Sequence, residues 1–328
     1  MKSNRRLIVV PLMLLWAVLA AAPGAYAAEA WPSRPIVYVV PFTPGGSTDV
    51  VGRTIAQKLS ESLRQPVVIE NKPGAAGAIG AAFVAKAKPD GYTLFGGTIS
   101  THAINASLYE NLPHDPVKDF APVTLVAYLP NVLIVNPNLG VNNVADLIAL
   151  LKRDPSKRNF ASSGSGTSTH LTGELFAQVI GIQLTHIPYK GTPPAMQDVV
   201  GGQVPFMFDQ MTAAVSLAQA GKLKVIATTA GKRTTLAPDL PTMAEAGVQG
   251  FDVQSWQAIY APAGTPKEIV QRLNTEIVRI LNMPDVRDKL GKQLGMTLVG
   301  STPDELAALM SREIPRWADL VKKSGAKP

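Results

Sequence analysis

The chain has no cysteine among its 328 residues. This excludes disulfide bonds, thiolate metal sites and a lipid carried on an N-terminal cysteine. A chain of this length can bury enough apolar surface to fold without such cross-links. We therefore expect an untethered protein of about two domains that depends on its hydrophobic core for stability.

Long apolar runs are confined to the N-terminus. Lys2, Arg5 and Arg6 precede an apolar stretch from Leu7 to Ala22, which is followed by the small residues of Ala25-Tyr26-Ala27. This layout is typical of a secretory signal peptide. We expect export with cleavage near Ala27, and the alternative is a membrane anchor that is retained.

Charge of either sign is also modest. Without the three cations of the leader, 28 Lys and Arg stand against 24 Asp and Glu, a net charge of +4. The basic residues are scattered and not interleaved with aromatic ones, so we expect no nucleic-acid binding. The sequence also lacks an HExxH motif, a phosphate-binding P-loop and a complete GxGxxG. We expect no metal and no cofactor.

Short β-branched runs alternate with amphipathic segments along the chain. Ile36 to Val40 (IVYVV) predicts a buried strand. Asp49 to Arg64 repeats apolar residues every four positions and predicts a helix with one buried face. This strand–helix rhythm continues to the C-terminus and predicts an α/β fold with parallel sheets covered by helices.

A glycine-containing loop, residues 41–49, joins the first predicted strand to the first helix. Gly45 and Gly46 allow a tight turn, and Ser47 is a candidate helix cap. A helix start offers unpaired N–H donors and the positive end of a dipole, so it binds an anion without Lys or Arg. The alternative is an ordinary turn with a capped helix.

A second loop of the same kind covers residues 162–170. It also follows a predicted strand, is rich in Gly, Ser and Thr, and leads into a helix. Ligands of open α/β sheets bind at the carboxyl ends of the strands. We therefore expect the two loops to face each other and to hold one carboxylate. His170 is expected to stabilise its own loop or helix and not to act as a base.

Three further residues have two interpretations each. Asp49 either favours the first turn of its helix or holds a ligand amino group or an ordered water. Tyr189 either places its ring and hydroxyl in the cleft or acts as a hydrophobic plug. Asp209 follows a predicted strand and either faces the cleft or caps the next helix.

Polar contacts are also expected from residues after the third strand, namely Thr98, Ser100 and Thr101.

Eight motifs follow one another in order along the chain. They are PFTPGGSTD at 41–49, ENKPGAAG at 70–77, PDGYTL at 89–94, THAINASLY at 101–109, SSGSGTSTH at 162–170, HIPYKGTPPA at 186–195, GGQVPFMFD at 201–209 and APAGTP at 261–266. On these motifs the chain resembles the Bug-type extracytoplasmic solute receptors of tripartite tricarboxylate transporters.

The resemblance implies a two-lobed class II periplasmic-binding-protein fold. Each lobe is expected to be a mostly parallel sheet flanked by helices, with the ligand in the interlobe cleft. Residues 1–27 would be the signal peptide, 28–127 and 251–328 the first lobe, and 128–250 the second lobe. The protein would be a periplasmic monomer that passes a small organic acid, aromatic acid or amino acid to membrane permease subunits.

The same resemblance implies a carboxylate held by backbone N–H and hydroxyl groups of the two loops. The motif positions carried over as ligand-binding residues are Phe42, Gly46, Ser47, Asp49, Ser163, Gly164, Thr167, Tyr189 and Asp209.

Two other classes of function remain as alternatives. An exported serine hydrolase would use Ser47, Ser165 or Ser168 with His170, but the chain has no GxSxG motif and His170 lies close in sequence to two of these serines. We therefore expect no enzyme activity. A sensory receptor that contacts a signalling protein instead of a permease is equally compatible with the sequence.

Overall fold

The computed structural model describes residues 31–234 and 236–327. The predicted signal peptide lies outside the described residues. Within these two ranges, no helix combines the length and the apolar character that crossing a bilayer requires.

The described ranges contain ten strands joined in one curled sheet. Its hydrogen-bonded order is β2-β1-β3-β9-β4-β7-β5-β6, and β8 and β10 both pair with β4. The strands are β1 (Ile36–Val40), β2 (Val67–Asn71), β3 (Thr93–Thr98), β4 (Phe120–Val135), β5 (Asn159–Ser162), β6 (Thr185–Pro188), β7 (Phe206–Gln210), β8 (Lys224–Thr228), β9 (Gln254–Pro262) and β10 (Thr297–Leu298).

Helices connect most of these strands and cover the sheet. The α-helices are α1 (Ser47–Leu63), α2 (Ala78–Ala85), α3 (Asn105–Leu108), α4 (Val144–Arg153), α5 (Ser168–Ile180), α6 (Thr192–Val200), α7 (Met211–Gln219), α8 (Lys267–Leu281), α9 (Pro284–Val286) and α10 (Pro303–Ser324). Wider π-helical turns precede α3 at Ser100–Ile104 and follow α9 at Arg287–Gln293.

Strand β4 passes through both halves of the molecule. Its first part, Phe120–Pro130, pairs antiparallel with β9. Its last part, Asn131–Val135, pairs antiparallel with β7 and β8. The chain returns near Thr229, whose N–H donates to the Asn131 carbonyl (2.9 Å) and whose carbonyl accepts from the Val253 N–H (2.9 Å). Two lobes are therefore joined by two adjacent crossings.

The predicted two-lobed α/β fold is confirmed, and the sheet in it is mixed. In the first lobe β1 pairs parallel with β2 and β3, and in the second lobe β5 pairs parallel with β6 and β7. Next to the crossings, β9 runs antiparallel to β3 and β4. This follows because β4 takes the chain out of the first lobe and β9 brings it back. Lobe boundaries at 127/128 and 250/251 stay a prediction, since β4 is one continuous strand.

Each lobe orients one glycine-rich loop by packing the helix that follows it. The predicted apolar face of α1 is buried at Val51, Ile55 and Leu59, which belong to the same core cluster as β1. In the second lobe, Gly173 of α5 lies directly against the ring of Phe160 in β5. The absence of a side chain at Gly173 lets α5 approach the sheet closely.

We predict that Gly173→Ala destabilises the protein by about 1–3 kcal/mol, because the added methyl group would overlap the Phe160 ring in a packed core. Gly291→Ala is the matched control, since a Cβ there meets no atom closer than 3.8 Å. Urea unfolding of both variants measures the difference. Equal stability of the two variants would show that α5 is not held by this contact.

Candidate functional site

The first loop presents an uncapped helix start. Helix α1 begins at Ser47, and its N-cap residue is Gly46, which has no side chain to accept from the first-turn N–H groups. The expectation that Ser47 is the cap is therefore wrong, because the helix begins one residue earlier than a Ser47 cap requires. The N–H groups of the first turn remain available as donors, beside the positive end of the helix dipole.

Asp49 holds this loop from inside the first lobe. Its carboxylate accepts hydrogen bonds from the Gly45 N–H (3.0 Å), Arg53 Nε (2.8 Å) and Asn71 Nδ2 (2.9 Å). Burial raises the pKa of Asp49, but the bonds from Arg53, Gly45 and Asn71 outweigh it and lower the pKa overall. With its oxygens engaged in this way, Asp49 shapes the loop. A ligand contact by Asp49 stays a prediction.

The second loop is tied together by its own hydroxyl groups. Thr167 is the N-cap of α5 and accepts from the His170 N–H (3.4 Å), while its hydroxyl donates to the Gly164 carbonyl (2.7 Å). The Ser163 N–H donates to Thr169 Oγ1 (3.1 Å). Gly164, at φ 132°, adopts a backbone conformation suited to glycine. Many N–H donors of this loop are thus already used.

The two loops meet across a narrow inner cavity of about 40 Å³. Two hydrogen bonds bridge the lobes beside it: Ser47 Oγ donates to Gln210 Oε1 (3.2 Å), and the Ser168 N–H donates to Ser100 Oγ (3.2 Å). Gly191 packs against Thr43 from the opposite lobe. The structure is therefore a closed form, with room for on the order of three water-sized groups between the loops.

The lining of the inner cavity is rich in hydroxyl and amide groups, and none of the described residues in it has a charged side chain. It consists of Phe42, Thr43, Gly46, Ser47, Thr48, Thr98, Ser100, Ser163, Thr167, Ser168, Gly191, Thr192, Gln210, Ser255 and Gln257. Five of the nine predicted ligand-binding residues are in this set: Phe42, Gly46, Ser47, Ser163 and Thr167. Thr98 and Ser100 also line the cavity, as expected, whereas Thr101 does not, because its hydroxyl donates to the Thr98 carbonyl (3.0 Å).

Gly164 and Tyr189 instead line an adjoining outer compartment of about 660 Å³. The Tyr189 hydroxyl donates to Asp198 Oδ2 (2.6 Å), so only the rest of the ring is left to face the compartment. Burial, followed by the hydrogen bond to Asp198, raises the pKa of Tyr189 to about 12. Of the two interpretations of Tyr189, the geometry favours the hydrophobic plug, because the hydroxyl is held by Asp198.

Asp209 is buried at the end of β7 and lines neither cavity. Its Oδ1 accepts from the Gln210 N–H (2.7 Å), and within the described ranges Oδ2 has no hydrogen-bond partner. Burial raises the pKa of Asp209 to about 6. Asp209 thus lies behind Gln210, and a direct ligand contact by Asp209 stays a prediction.

Sequence reasoning missed two glutamines of the inner cavity, Gln210 and Gln257. Gln257 Nε2 donates to Ser47 Oγ (3.2 Å) and Thr48 Oγ1 (3.3 Å). Gln257 Oε1 is buried and has no partner within the described ranges. The available signal was a polar residue inside an apolar strand. Whether its side chain faces the cleft depends on strand register, which the sequence alone does not give.

A serine–histidine contact exists, but it is away from the cleft. Ser162 Oγ lies 2.6 Å from His186 Nε2, and neither residue lines a cavity described above. Burial lowers the pKa of His186 to about 3, which makes it a poor base at neutral pH. His170 accepts from the Gly166 N–H (3.1 Å) through Nδ1. His170 therefore stabilises its loop, as expected.

Two lobes closing on a loop-lined cleft define the class of two-lobed solute-binding proteins. Residues 51–326 match the tripartite tricarboxylate transporter family receptor. Protein BugT of Bordetella pertussis (strain Tohama I) is 39% identical over 328 residues, covering 100% of this chain and 99% of BugT. The chain belongs to this receptor family.

Solved structures agree with this assignment. R. palustris Rpa4515 with adipate has a TM-score of 0.88 and 40% identity, covering 91% of this chain and 99% of Rpa4515. The periplasmic binding protein BugD has a TM-score of 0.86 and 39% identity, covering 90% and 99%. The Bug-type resemblance is confirmed, and this protein is a periplasmic-type solute receptor by family.

We predict that Asp209→Asn raises stability at neutral pH. The raised pKa means that the protonated carboxyl group of Asp209 stabilises the folded state. This stabilisation is complete below about pH 4 and is lost as the pH rises through about 6. The variant should therefore be up to about 3 kcal/mol more stable above pH 6 and equal to the parent near pH 4.

Urea unfolding between pH 4 and 8 checks this, with the exposed Asp239→Asn as control. A parallel pH dependence of Asp209→Asn and the parent would mean that Asp209 is not a buried carboxyl group of raised pKa.

Proposed function

We propose that this protein captures a small carboxylate between its lobes and delivers it to the membrane subunits of a tripartite tricarboxylate-type transporter. The observation that carries the proposal is the uncharged, hydroxyl-lined cavity closed over the uncapped start of α1. The adipate in the related Rpa4515 supports the ligand class.

Neutral donors suit a ligand that must be released again. An anion bound at a helix start and by hydroxyl groups avoids the buried ion pair that Lys or Arg would form. Each hydrogen bond to a charged group contributes about 1.5–3 kcal/mol. The donors are the first-turn N–H groups of α1 together with the hydroxyls of Thr48 and Ser163. The Ser47 hydroxyl, which donates to Gln210 in this closed form, would turn to the ligand as a further donor.

Ligand binding would act by stabilising the closed form. The hydrogen bonds Ser47–Gln210 and Ser168–Ser100 already join the two lobes across the cleft. A carboxylate between the loops would accept further hydrogen bonds from both lobes. Closure excludes water and strengthens each bond to the carboxylate. The ligand thereby shifts the population from open to closed.

Delivery to a permease requires export, and the predicted signal peptide with cleavage near Ala27 provides for it. We expect a periplasmic monomer that acts without a cofactor. A sensory role without transport is the alternative. Loss of ligand uptake on deletion of the membrane subunits of the proposed transporter would support transport, and unchanged uptake would favour sensing.

The experiment that tests ligand class is a thermal-shift screen of small carboxylates followed by calorimetry. We predict that Ser47→Ala combined with Ser163→Ala weakens binding of the best acid at least about tenfold, because donors are lost from both lobes. Ser311→Ala is the control, since Ser311 is an exposed residue of α10.

Unchanged affinity in the double variant would show that the hydroxyl groups of Ser47 and Ser163 do not bind the acid. A screen in which no acid stabilises the protein, together with turnover of a carboxylic ester, would favour the hydrolase alternative.

A further inference from the structure

Two stacked histidine rings lie behind the second loop. The ring centroids of His170 and His186 are 3.8 Å apart with 17° between their planes, and the Phe160 ring lies 5.1 Å from His186. His170 is buried and His186 is half-buried, and neither lines the inner cavity or the outer compartment. The pair can therefore act on a ligand only through the loop.

Each ring holds a different part of this loop. His170 Nδ1 accepts a hydrogen bond from the Gly166 N–H (3.1 Å). His186 Nε2 lies 2.6 Å from Ser162 Oγ, and the same oxygen accepts from the Gly164 N–H (3.1 Å). Ser163 of the inner cavity lies between these anchors in sequence. The conformation of the loop therefore depends on both rings.

Gly166 is also the loop residue that meets the opposite lobe. Its φ of 80° is suited to glycine. A Cβ placed on Gly166 would overlap Leu108 of α3 and lie 3.2 Å from Ala76 Cβ. A shift of Gly166 would thus disturb the contact between the closed lobes as well as the loop itself.

The hydrogen bond from Gly166 fixes the tautomer of His170. Since Nδ1 accepts, it carries no proton, and the ring proton is on Nε2, which lies 3.4 Å from Glu174 Oε1. A second proton would go to Nδ1 and place one donor against another. The imidazolium would remain paired with Glu174, so the Gly166 end of the loop would have to move.

Other ionisable groups around the pair are engaged elsewhere. Phe208 of β7 belongs to the core beside α5, so strand alternation points Asp209 to the other face of the sheet. Glu313, the buried charged residue of α10, accepts from two tryptophan N–H groups (3.3 and 3.1 Å). Burial, followed by the nearby His170, lowers the pKa of His186 to about 3, which keeps His186 neutral in mild acid.

We propose that His170 and His186 are positioning residues for carboxylate binding, which hold the second loop in its binding conformation only while His170 is neutral. Acid would protonate His170, release Gly166 and weaken binding. This inference rests on the proposed function for the identity of the ligand, since the loop must form part of the site. The conformation of the loop can be measured without a ligand.

NMR of the ligand-free protein tests the loop itself. At about pH 7.5 the ring nitrogen shifts should show His170 Nδ1 without a proton. As the pH falls to about 5, the Gly166 amide should lose its protection from solvent exchange together with protonation of the His170 ring. A Gly166 amide that does not follow the His170 ring would overturn the inference.

Calorimetry with adipate at about pH 7.5 and about pH 5 tests the effect on binding. In His170→Asn, Oδ1 replaces Nδ1 as the acceptor for Gly166 and does not titrate. The parent should lose about tenfold more affinity than His170→Asn between the two pH values. Comparison of the two proteins cancels the protonation of adipate itself. His170→Ala, which has no acceptor, should bind weakly at both pH values.

His114→Gln is the matched control, because His114 is a buried histidine of the first lobe, and this variant should keep the pH profile of the parent. Parallel profiles of the parent and His170→Asn would overturn the inference while leaving the receptor function intact. Failure of adipate and of every other carboxylate to bind at pH 7.5 would instead overturn the proposed function. The spectra of the ligand-free protein would then still decide whether His170 controls the loop.

Discussion

In the proposed function, placing a negative charge between two closed lobes is the constraint on which the site depends. A carboxylate that leaves water must have its oxygens satisfied, or burial costs more than closure returns. The cavity would meet this need with hydroxyls, amides and the open start of α1, and no cation is among the described residues that line it. The proposed donors come from both lobes, so recognition and closure would be one event.

The sheet explains how two separate loops reach the same point. Strands β1 and β5 both end in the cleft, and the helix after each begins there. The two crossings at β4 and β9 join the lobes side by side, so rotation about them opens or closes the gap between the loops. Gln210 lies at the end of β7, and Gln257 lies within β9. Both add polar contacts close to these crossings.

Local patterns predicted much of this arrangement. Strand β1 has the predicted bounds, because its β-branched run lies between Pro35 and Pro41. The first part of β4 was not predicted, since Pro122 and Pro130 interrupt its pattern and Pro122 adjoins a register shift. The loops could be predicted from glycine, serine and threonine after strands. The inward direction of Gln257 could not, because it depends on long-range register.

The most direct test of the central claim is a crystal structure of the protein with its best-binding acid. The account predicts carboxylate oxygens within about 2.7–3.2 Å of first-turn N–H groups of α1 and of a hydroxyl from the second loop. An acid bound outside the space between the two loops, or held by Lys or Arg in place of these neutral donors, would contradict the account.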